Sequence, residues 1–315
     1  MSMTSSRIGR ILLGCALFLG STNATVLRAQ SHAARAHAGK PATTPAITAE
    51  DVAARLAVLA SDSLAGRRSG ELGGNKAAKY IASEFGRLKL ATLGAAHSYE
   101  QPFEFSEHAL DTSRHELTKT QNVVAFLRGS DPKLRDEVVV VGAHYDHLGM
   151  GGKFALDSVH GIHYGADDNA SGVTGLLEIA EHLASQKQPT KRSVLFIAFS
   201  GEEEGLFGSD QYTQHPLLPL KNVQAMLNMD MIGRMTDSTL IVQGIGSSPS
   251  WPALLDASPL AKRFALSRFQ TGIGPSDHAK FYAKDIPVLF FFTGFHPDYH
   301  RATDTREKIN TTGEA

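Results

Sequence analysis

The sequence predicts an α/β fold, a three-layer sandwich in which a mostly parallel mixed sheet is covered by helices on both faces. Three observations support this fold class. Apolar segments of strand length recur along the chain, helical patterns lie between several of them, and the strand segments are almost continuously apolar. Strands of that kind are buried on both faces, because helices pack on both sides of the sheet.

The N-terminal region predicts an export signal followed by a flexible lead-in. Arg7 and Arg10 precede the apolar run ILLGCALFLG, and small and polar residues follow it, which is typical of a signal peptide covering about residues 1–30. The run is too short to span a bilayer. It continues past Cys15, so we expect no lipid anchor there. Residues 31–47 are rich in Ala, His, Gly and Pro without periodicity, which predicts a flexible segment. We therefore expect a periplasmic or secreted protein.

Composition limits the number of domains and the kinds of ligand that the chain can bind. The chain has 315 residues, of which 42% are hydrophobic and 20% charged, and we expect one domain over residues 48–315. A formal net charge of −1 lacks the basic excess of a nucleic-acid-binding protein. Cys15 is the one cysteine, which excludes an intrachain disulfide and a cysteine-based zinc site. Any metal must be held by His, Asp and Glu.

The predicted elements follow in order from residue 48. Thr48, followed by Asp51, starts a capped helix over 49–61, and a second amphipathic helix covers 75–90. A third helical pattern, at 171–185, lies between the second and third strand segments. The strand segments span 122–129, 137–144, 193–200, 223–230, 238–244 and 287–293.

Acidic and imidazole side chains follow the carboxyl ends of these strands. In open α/β sheets, the binding crevice lies beyond those ends. His144 and Asp146 end the stretch VVVVGAHYD, and Asp230 ends VQAMLNMD. The other groups are Glu202, Glu203 and Glu204 after a third strand, Tyr299 and His300 after a fourth, and Asp167 and Asp168 in the loop GADDNASG. We therefore expect five segments to meet at one edge of the sheet.

This set of side chains suits a divalent metal. Two histidines and several carboxylates are appropriate ligands for zinc. More than four candidates favour two ions that share a bridging carboxylate. Zinc lowers the pKa of a bound water to about 7, and a carboxylate that is not itself a ligand must then take the proton of that water. The adjacent Glu202 and Glu203 can serve as base and ligand.

Six motifs in fixed order resemble a known family. They are AHYDH, GADDNASG, FSGEEEGLFGS, NMDMIGR, PSDH and YHRATDT. Together they are similar to the two-zinc aminopeptidases that include the bacterial leucyl aminopeptidases, with glutamate carboxypeptidase, glutaminyl cyclase and the transferrin receptor as relatives. The resemblance covers about residues 48–312 and includes ASDSLAGRRSG at 60–70.

The resemblance implies two zinc ions per chain and a role for each site residue. His144 and Asp230 match the ligands of the first zinc, and Glu203 and His300 match those of the second. Asp168 matches the carboxylate that bridges the two ions. Glu202 matches the general base.

The resemblance also implies supporting roles around these ligands. Asp146 matches a carboxylate that orients the first histidine ligand. Tyr299 matches a tyrosine that, in some members, donates a hydrogen bond to the developing oxyanion, although packing alone is an equal alternative. A cis peptide bond is expected between Asp168 and Asn169.

Several other polar residues are expected to have structural roles. Asp167 supports its loop or caps the following helix, and Glu204 is solvated. Asp277, in the motif PSDH, is expected to cap a helix. Four histidines lie near the site in sequence, and most of them are expected at surface or loop positions, with one in contact with substrate. They are His147, His160, His163 and His296.

The expected function is that of an exported two-zinc aminopeptidase acting on peptides with a free N-terminus. A carboxypeptidase or glutaminyl cyclase on the same scaffold is an alternative, but cyclases of this family use one zinc, and the complete ligand set favours hydrolysis. A non-catalytic binding or zinc-storage protein is a second alternative. The transferrin receptor lacks the metal ligands, whereas this chain has them, and storage would leave Glu202 without a purpose.

Two features depart from the relatives. Some relatives insert a protease-associated domain after the segment matching QPFEF at 101–105, but about 16 residues separate it from NVVAF here, too few for a domain. We expect a more open site. The sequence stops at INTTGEA, where relatives usually continue into a C-terminal helix packed on the sheet, so we expect a truncated sequence.

Overall fold

The computed structural model describes residues 43–94, 96–106, 117–259 and 261–315. The predicted export signal and most of the predicted lead-in lie outside these residues. Within the described ranges, no helix combines the length and the apolar character needed to cross a membrane.

Eight strands form one mixed sheet, in the order β1-β2-β4-β3-β5-β8-β6-β7. The strands are Glu100–Phe105 (β1), Thr118–Leu127 (β2), Val138–His144 (β3), Ser193–Phe199 (β4), Val223–Met229 (β5), Thr239–Gln243 (β6), Ala265–Phe269 (β7) and Val288–Phe292 (β8). The central strands β4, β3, β5 and β8 are parallel, whereas β2 is antiparallel to β4 and β6 is antiparallel to β8. The predicted α/β fold class is confirmed.

Seven α-helices accompany the sheet in the described residues. They are Ala49–Leu59 (α1), Leu72–Arg87 (α2), Gly172–Ala184 (α3), Phe207–Gln214 (α4), Trp251–Ala257 (α5), His278–Tyr282 (α6) and Thr311–Glu314 (α7). Short 3-10 segments are Asp62–Arg67, Leu220–Asn222, Ile245–Ser247, Ala261–Arg263 and Arg306–Lys308. The predicted cap of α1 is confirmed, because the Thr48 side chain accepts a hydrogen bond from Asp51 N at 3.1 Å.

Helices pack on both faces of the sheet. Successive residues of a strand point to opposite faces, so β4 contributes to two cores. Phe196 and Ala198 belong to the core formed with α1, α2 and α3, whereas Leu195 and Ile197 belong to the core formed with α4 and α6. This two-sided burial explains why the central strands are apolar throughout.

The two edge strands, β1 and β7, were not among the predicted strands. Alternate residues of β1 are exposed, and β7 has no fully buried residue. Edge strands have one neighbour and carry polar side chains more often, so their sequences lack the long apolar runs that reveal central strands.

A buried guanidinium joins the three helices on one face. Arg55 of α1 contacts Glu178 and Glu181 of α3 at 2.5 and 2.6 Å and Glu84 of α2 at 2.7 Å. The Arg55 side chain is 1% exposed, so its charge depends on these carboxylates instead of water. The same helices contribute the core that lies behind the ends of β3 and β4.

We predict that Arg55→Met lowers the free energy of unfolding by about 3–5 kcal/mol, because it leaves the buried Glu178 without a counter-charge, although Glu84 and Glu181 keep Arg87. Denaturant unfolding followed by circular dichroism would measure the change. The control is Arg128→Met. The Arg128 side chain is 59% exposed and lies 4.0 Å from Asp136, so a change within about 0.5 kcal/mol is expected. Equal effects of the two substitutions would contradict this prediction.

Candidate metal centre

Three neighbouring strands bring four predicted site residues together. Strands β4, β3 and β5 are adjacent and parallel, so their carboxyl ends lie at the same edge of the sheet. His144 is the last residue of β3, and Asp230 directly follows β5. Glu202 and Glu203 follow β4 after a turn through Ser200 and Gly201. The expected meeting point at the sheet edge is therefore formed.

The loop before α3 supplies Asp168. Residues Ala166–Ser171 form a single irregular helical turn that is buried throughout, and the bond between Asp168 and Asn169 is cis, as predicted. Asp304 fixes this turn, because its Oδ2 accepts hydrogen bonds from the backbone N of Asp167 at 2.9 Å and of Asp168 at 3.1 Å. A buried carboxylate from a distant segment thus determines where Asp168 lies.

His144 faces two carboxylates. Its Nε2 lies 3.4 Å from Asp168 Oδ1 and 3.4 Å from Asp230 Oδ1. Its Nδ1 lies 3.1 Å from the backbone O of Asp146. A proton on Nδ1 satisfies that carbonyl and leaves the Nε2 lone pair directed at the carboxylates, the tautomer a metal ligand needs.

His300 forms a matching arrangement on the other side of Asp168. Its Nε2 lies 3.1 Å from Asp168 Oδ2 and 3.0 Å from Glu203 Oε2. Its Nδ1 donates to the backbone O of Phe154 at 2.9 Å. Asp168 therefore presents Oδ1 to one histidine and Oδ2 to the other, which is the geometry of a bridging carboxylate.

The donor atoms fit a zinc ion. One ligand atom from each of His144, Asp168 and Asp230 lies within 4.8 Å of the others. A second group, His147, Asp168 and Glu203, meets the same limit, and His300 Nε2 lies beside the same two carboxylates. Imidazole nitrogens and carboxylate oxygens are the donors zinc takes when thiolates are absent.

Two carboxyl groups at the centre differ in charge preference. Burial raises the pKa of Glu202 well above its usual value, with His144 opposing the change and Asp230 adding to it. Burial also raises the pKa of Asp168. Without a metal, His144 and His300 carry a proton on Nε2 as well as on Nδ1, and their hydrogen bonds more than offset the burial and hold the Asp168 pKa well below the usual value. Asp168 is thus suited to remain anionic, whereas Glu202 is suited to hold a proton.

Asp146 acts mainly on the neighbouring glutamates. Its carboxylate accepts hydrogen bonds from the backbone N of Glu202 at 3.3 Å and of Glu203 at 3.4 Å. Its Oδ1 is 3.8 Å from His144 Nδ1, farther than its own backbone O. The structure therefore places the carboxylate where it fixes the turn that carries the two glutamates, and the backbone oxygen where it orients His144.

A cleft of about 170 Å³ opens over these groups. Its lining includes His144, Asp168, Glu202, Glu203, Asp230 and His300. The other lining residues are largely aromatic or apolar, namely Met231, Gln243, Pro275, Phe290, Phe292, Phe295 and Tyr299. The Tyr299 ring stacks on His300 with ring centroids 3.9 Å apart. Burial raises the Tyr299 pKa, so its hydroxyl stays protonated and can donate a hydrogen bond.

Comparison with known proteins agrees with this geometry. Residues 122–314, more than half of the chain, match Peptidase family M28. The chain belongs to this family. The sequence is 31% identical over 202 residues to aminopeptidase YwaD of Bacillus subtilis, a match that covers 61% of this chain and 41% of that relative. The M28 chain thus spans less than half the length of that curated relative.

Solved structures show the same fold as the M28 chain. The zinc aminopeptidase BSAP from Bacillus subtilis superposes with a TM-score of 0.67 at 18% identity, covering 86% of this chain and 93% of the other. A glutaminyl cyclase from Porphyromonas gingivalis gives the same TM-score of 0.67 at 19% identity, covering 85% and 94%. At these identities, the likeness establishes the fold alone.

Some predictions for residues around the M28 centre are wrong. His147 and His163 do lie in loops, as expected, but both are fully buried and not at the surface. Glu204 is not solvated, because its side chain is 3% exposed and its Oε1 lies 3.7 Å from Arg68 Nε. Asp277 occupies the first position before α6, but its buried side chain makes no capping hydrogen bond. Burial raises the Asp277 pKa to about 7. Sequence position alone did not reveal how closely the loops pack.

Two other expectations about the loops agree with the structure. Asp167 supports its loop, because its Oδ1 accepts a hydrogen bond from Gly233 N at 2.7 Å and its Oδ2 lies 3.1 Å from His296 Nε2. His160 is exposed. The Asp167 carboxylate therefore contacts the segments after β5 and β8.

Sequence reasoning gave no role to Arg67, although it lies within the motif ASDSLAGRRSG. The fully buried Arg67 guanidinium donates hydrogen bonds of 2.7–2.9 Å to the backbone O of Leu59, Tyr145, Tyr164 and Gly165. Burial lowers its pKa to about 10, against the effect of nearby carboxylates such as Asp168, so the group stays charged at neutral pH. The only sequence signal was its presence in the shared motif.

His147 is the second residue whose role was missed. Its Nδ1 lies 2.7 Å from Glu203 Oε1 and 3.8 Å from Asp168 Oδ2, while its buried Nε2 has no hydrogen-bond partner among the described residues. His300 approaches the other oxygen of Glu203. Each oxygen of the Glu203 carboxylate therefore faces a histidine, and the sequence resemblance gave a role only to His300.

We predict that His300→Ala lowers the zinc content of the chain, whereas His147→Gln leaves it unchanged. His300 Nε2 lies about 3 Å from two carboxylate oxygens, on Asp168 and Glu203, but His147 makes its close contact with Glu203 Oε1 alone. Zinc content after equilibrium dialysis would distinguish the variants. His160→Ala, an exposed histidine, is the control. Loss of zinc from His147→Gln but not from His300→Ala would show that His147, and not His300, is the metal ligand beside Glu203.

Proposed function

We propose that this chain is an exported aminopeptidase that removes N-terminal residues from peptides with two zinc ions and a glutamate general base. One observation carries the proposal: Asp168 presents one oxygen towards His144 and the other towards His300, so two donor groups share a carboxylate. Membership in Peptidase family M28 supports a peptidase. The exported location is inferred from the N-terminal sequence, and fractionation of cells would test it.

The site residues fall into two groups, those that would bind metal and the one that transfers protons. In this proposal, His144 and Asp230 hold one ion, Glu203 and His300 hold the other, and Asp168 lies between them. Zinc, when bound, supplies Lewis acidity and lowers the pKa of water to about 7.

Glu202 is the residue best placed to move protons. It lines the cleft beside the ligands, and burial raises the pKa of its carboxyl group, so the Glu202 anion is a stronger base than an ordinary glutamate. Its backbone is held by the Asp146 carboxylate. Glu202 accepts a proton from the attacking water and delivers it to the nitrogen of the departing peptide.

The cleft favours an apolar N-terminal residue. Its lining includes Met231 and several aromatic side chains, which suit an apolar side chain, and carboxylates, which attract a cationic α-amine. None of the described residues that line the cleft is Arg or Lys, the groups that would bind the free carboxylate at the end of a carboxypeptidase substrate. This observation favours the aminopeptidase over the carboxypeptidase.

We predict that metal-stripped protein regains hydrolysis of free-amine substrates as zinc is restored, with maximal activity near two zinc ions per chain. A panel of leucine, phenylalanine, glutamate and N-acetyl-leucine p-nitroanilides would measure it. Leucine and phenylalanine substrates should be cleaved fastest, and the acetylated one should not be cleaved. If zinc-loaded protein cleaves no free-amine substrate, the cyclase, carboxypeptidase and binding alternatives take precedence.

The matched variant for this assay is Glu202→Gln, which keeps the shape of the side chain but cannot accept the proton. We expect zinc content to be unchanged and turnover of the leucine substrate to fall about 100- to 10,000-fold. Normal turnover in this variant would show that another group acts as the base.

We predict that Tyr299→Phe lowers kcat for the leucine substrate by about 100- to 1,000-fold with little change in KM, because an oxyanion donor acts only in the transition state. The phenylalanine ring preserves the stacking on His300. Zinc content should stay the same, and this would be checked on the same sample. An unchanged kcat would limit Tyr299 to packing.

A further inference from the structure

The loop of residues 150–163, here called the β3 loop, packs against the segment that carries His300. Two backbone contacts hold that histidine directly. Leu156 N donates to His300 O at 2.8 Å, and Phe154 O accepts from His300 Nδ1 at 2.9 Å. The first fixes the backbone of His300 and the second fixes its ring, leaving Nε2 directed at Asp168 and Glu203.

His300 needs such external support. Its φ is +54°, in the left-handed region that non-glycine residues seldom adopt. A residue in this region keeps its conformation only when its surroundings enforce it. The position of Nε2 therefore depends on the β3 loop as well as on the chain immediately next to His300.

Asp157 is the side chain that ties the β3 loop to this segment. Its Oδ2 accepts a hydrogen bond from the backbone N of Ala302 at 2.9 Å, two residues beyond His300. Its Oδ1 accepts from Val159 N at 3.1 Å and lies 3.0 Å from Nε2 of the buried His163. One carboxylate thus joins the loop to itself and to the His300 segment.

We propose that Asp157 is a positioning residue for His300 and thereby sets the affinity of the zinc ion held by Glu203 and His300. Asp157 does not line the cleft, so it acts through His300 alone. The inference rests on the proposed two-zinc site. Residues that orient metal ligands contribute about 10- to 100-fold to metal affinity.

The test compares Asp157→Ala in two single-site backgrounds. Asp230→Ala leaves the Glu203–His300 group intact, whereas His300→Ala leaves the His144–Asp230 group. Zinc affinity would be measured by competition with a chromophoric chelator. We expect Asp157→Ala to weaken zinc binding about 10- to 100-fold in the Asp230→Ala background and by less than about twofold in the His300→Ala background.

Two further variants make the result specific. Asp157→Asn keeps an acceptor oxygen for Ala302 N, so it should recover part of the affinity and provide a second measurement if the alanine variant folds poorly. His160→Ala removes an exposed side chain of the same loop and should leave both affinities unchanged. Circular dichroism of each variant would verify folding.

An equal loss of affinity in both backgrounds would overturn the proposal, since it would indicate a general structural role. The absence of any loss in the Asp230→Ala background would overturn it as well. Because zinc titration needs no turnover, these outcomes are separate from those of the peptidase assay. Inactive protein with the expected affinity pattern would refute the proposed function and leave the role of Asp157 intact.

Discussion

A single buried guanidinium is the interaction on which the centre depends. Arg67 binds backbone oxygens at the end of α1, just after β3 and just before the Asp168 turn, so it joins three segments that are far apart in sequence. Buried carbonyl groups need hydrogen-bond partners, and the fully buried Arg67 supplies them here. The positive charge of Arg67 also lies near the carboxylates of the centre and offsets part of their mutual repulsion.

The different surroundings of the acidic groups explain why their pKa values shift in opposite directions. Parallel strands place several carboxylates at one sheet edge, where burial disfavours their charged forms. Asp168 is stabilised as an anion by the two histidines beside it, whereas burial, with Asp230 adding to it and His144 opposing it, raises the pKa of Glu202. Neighbouring carboxyl groups can therefore act differently, one as a metal bridge and the other as a proton carrier.

The ligands are held by groups that do not themselves face the cleft. Asp304 fixes the Asp168 turn, Asp146 fixes the turn of the two glutamates, and the β3 loop fixes His300. An aminopeptidase and a glutaminyl cyclase share this fold, and both superpose on this chain with a TM-score of 0.67. Because the fold supports both, the chemistry must be decided by the ligand set, by the groups that position it and by the shape of the cleft.

The sequence by itself determined the fold class, the central strands and the groups at their carboxyl ends, because apolar runs and polar strand ends are local signals. The structure confirmed the fold and brought His144, Asp168 and His300 together as expected. Only the tertiary structure revealed the edge strands and the roles of Arg67 and His147. Those depend on burial and on partners supplied by distant segments, and such contacts leave no periodic pattern in the sequence around the residue.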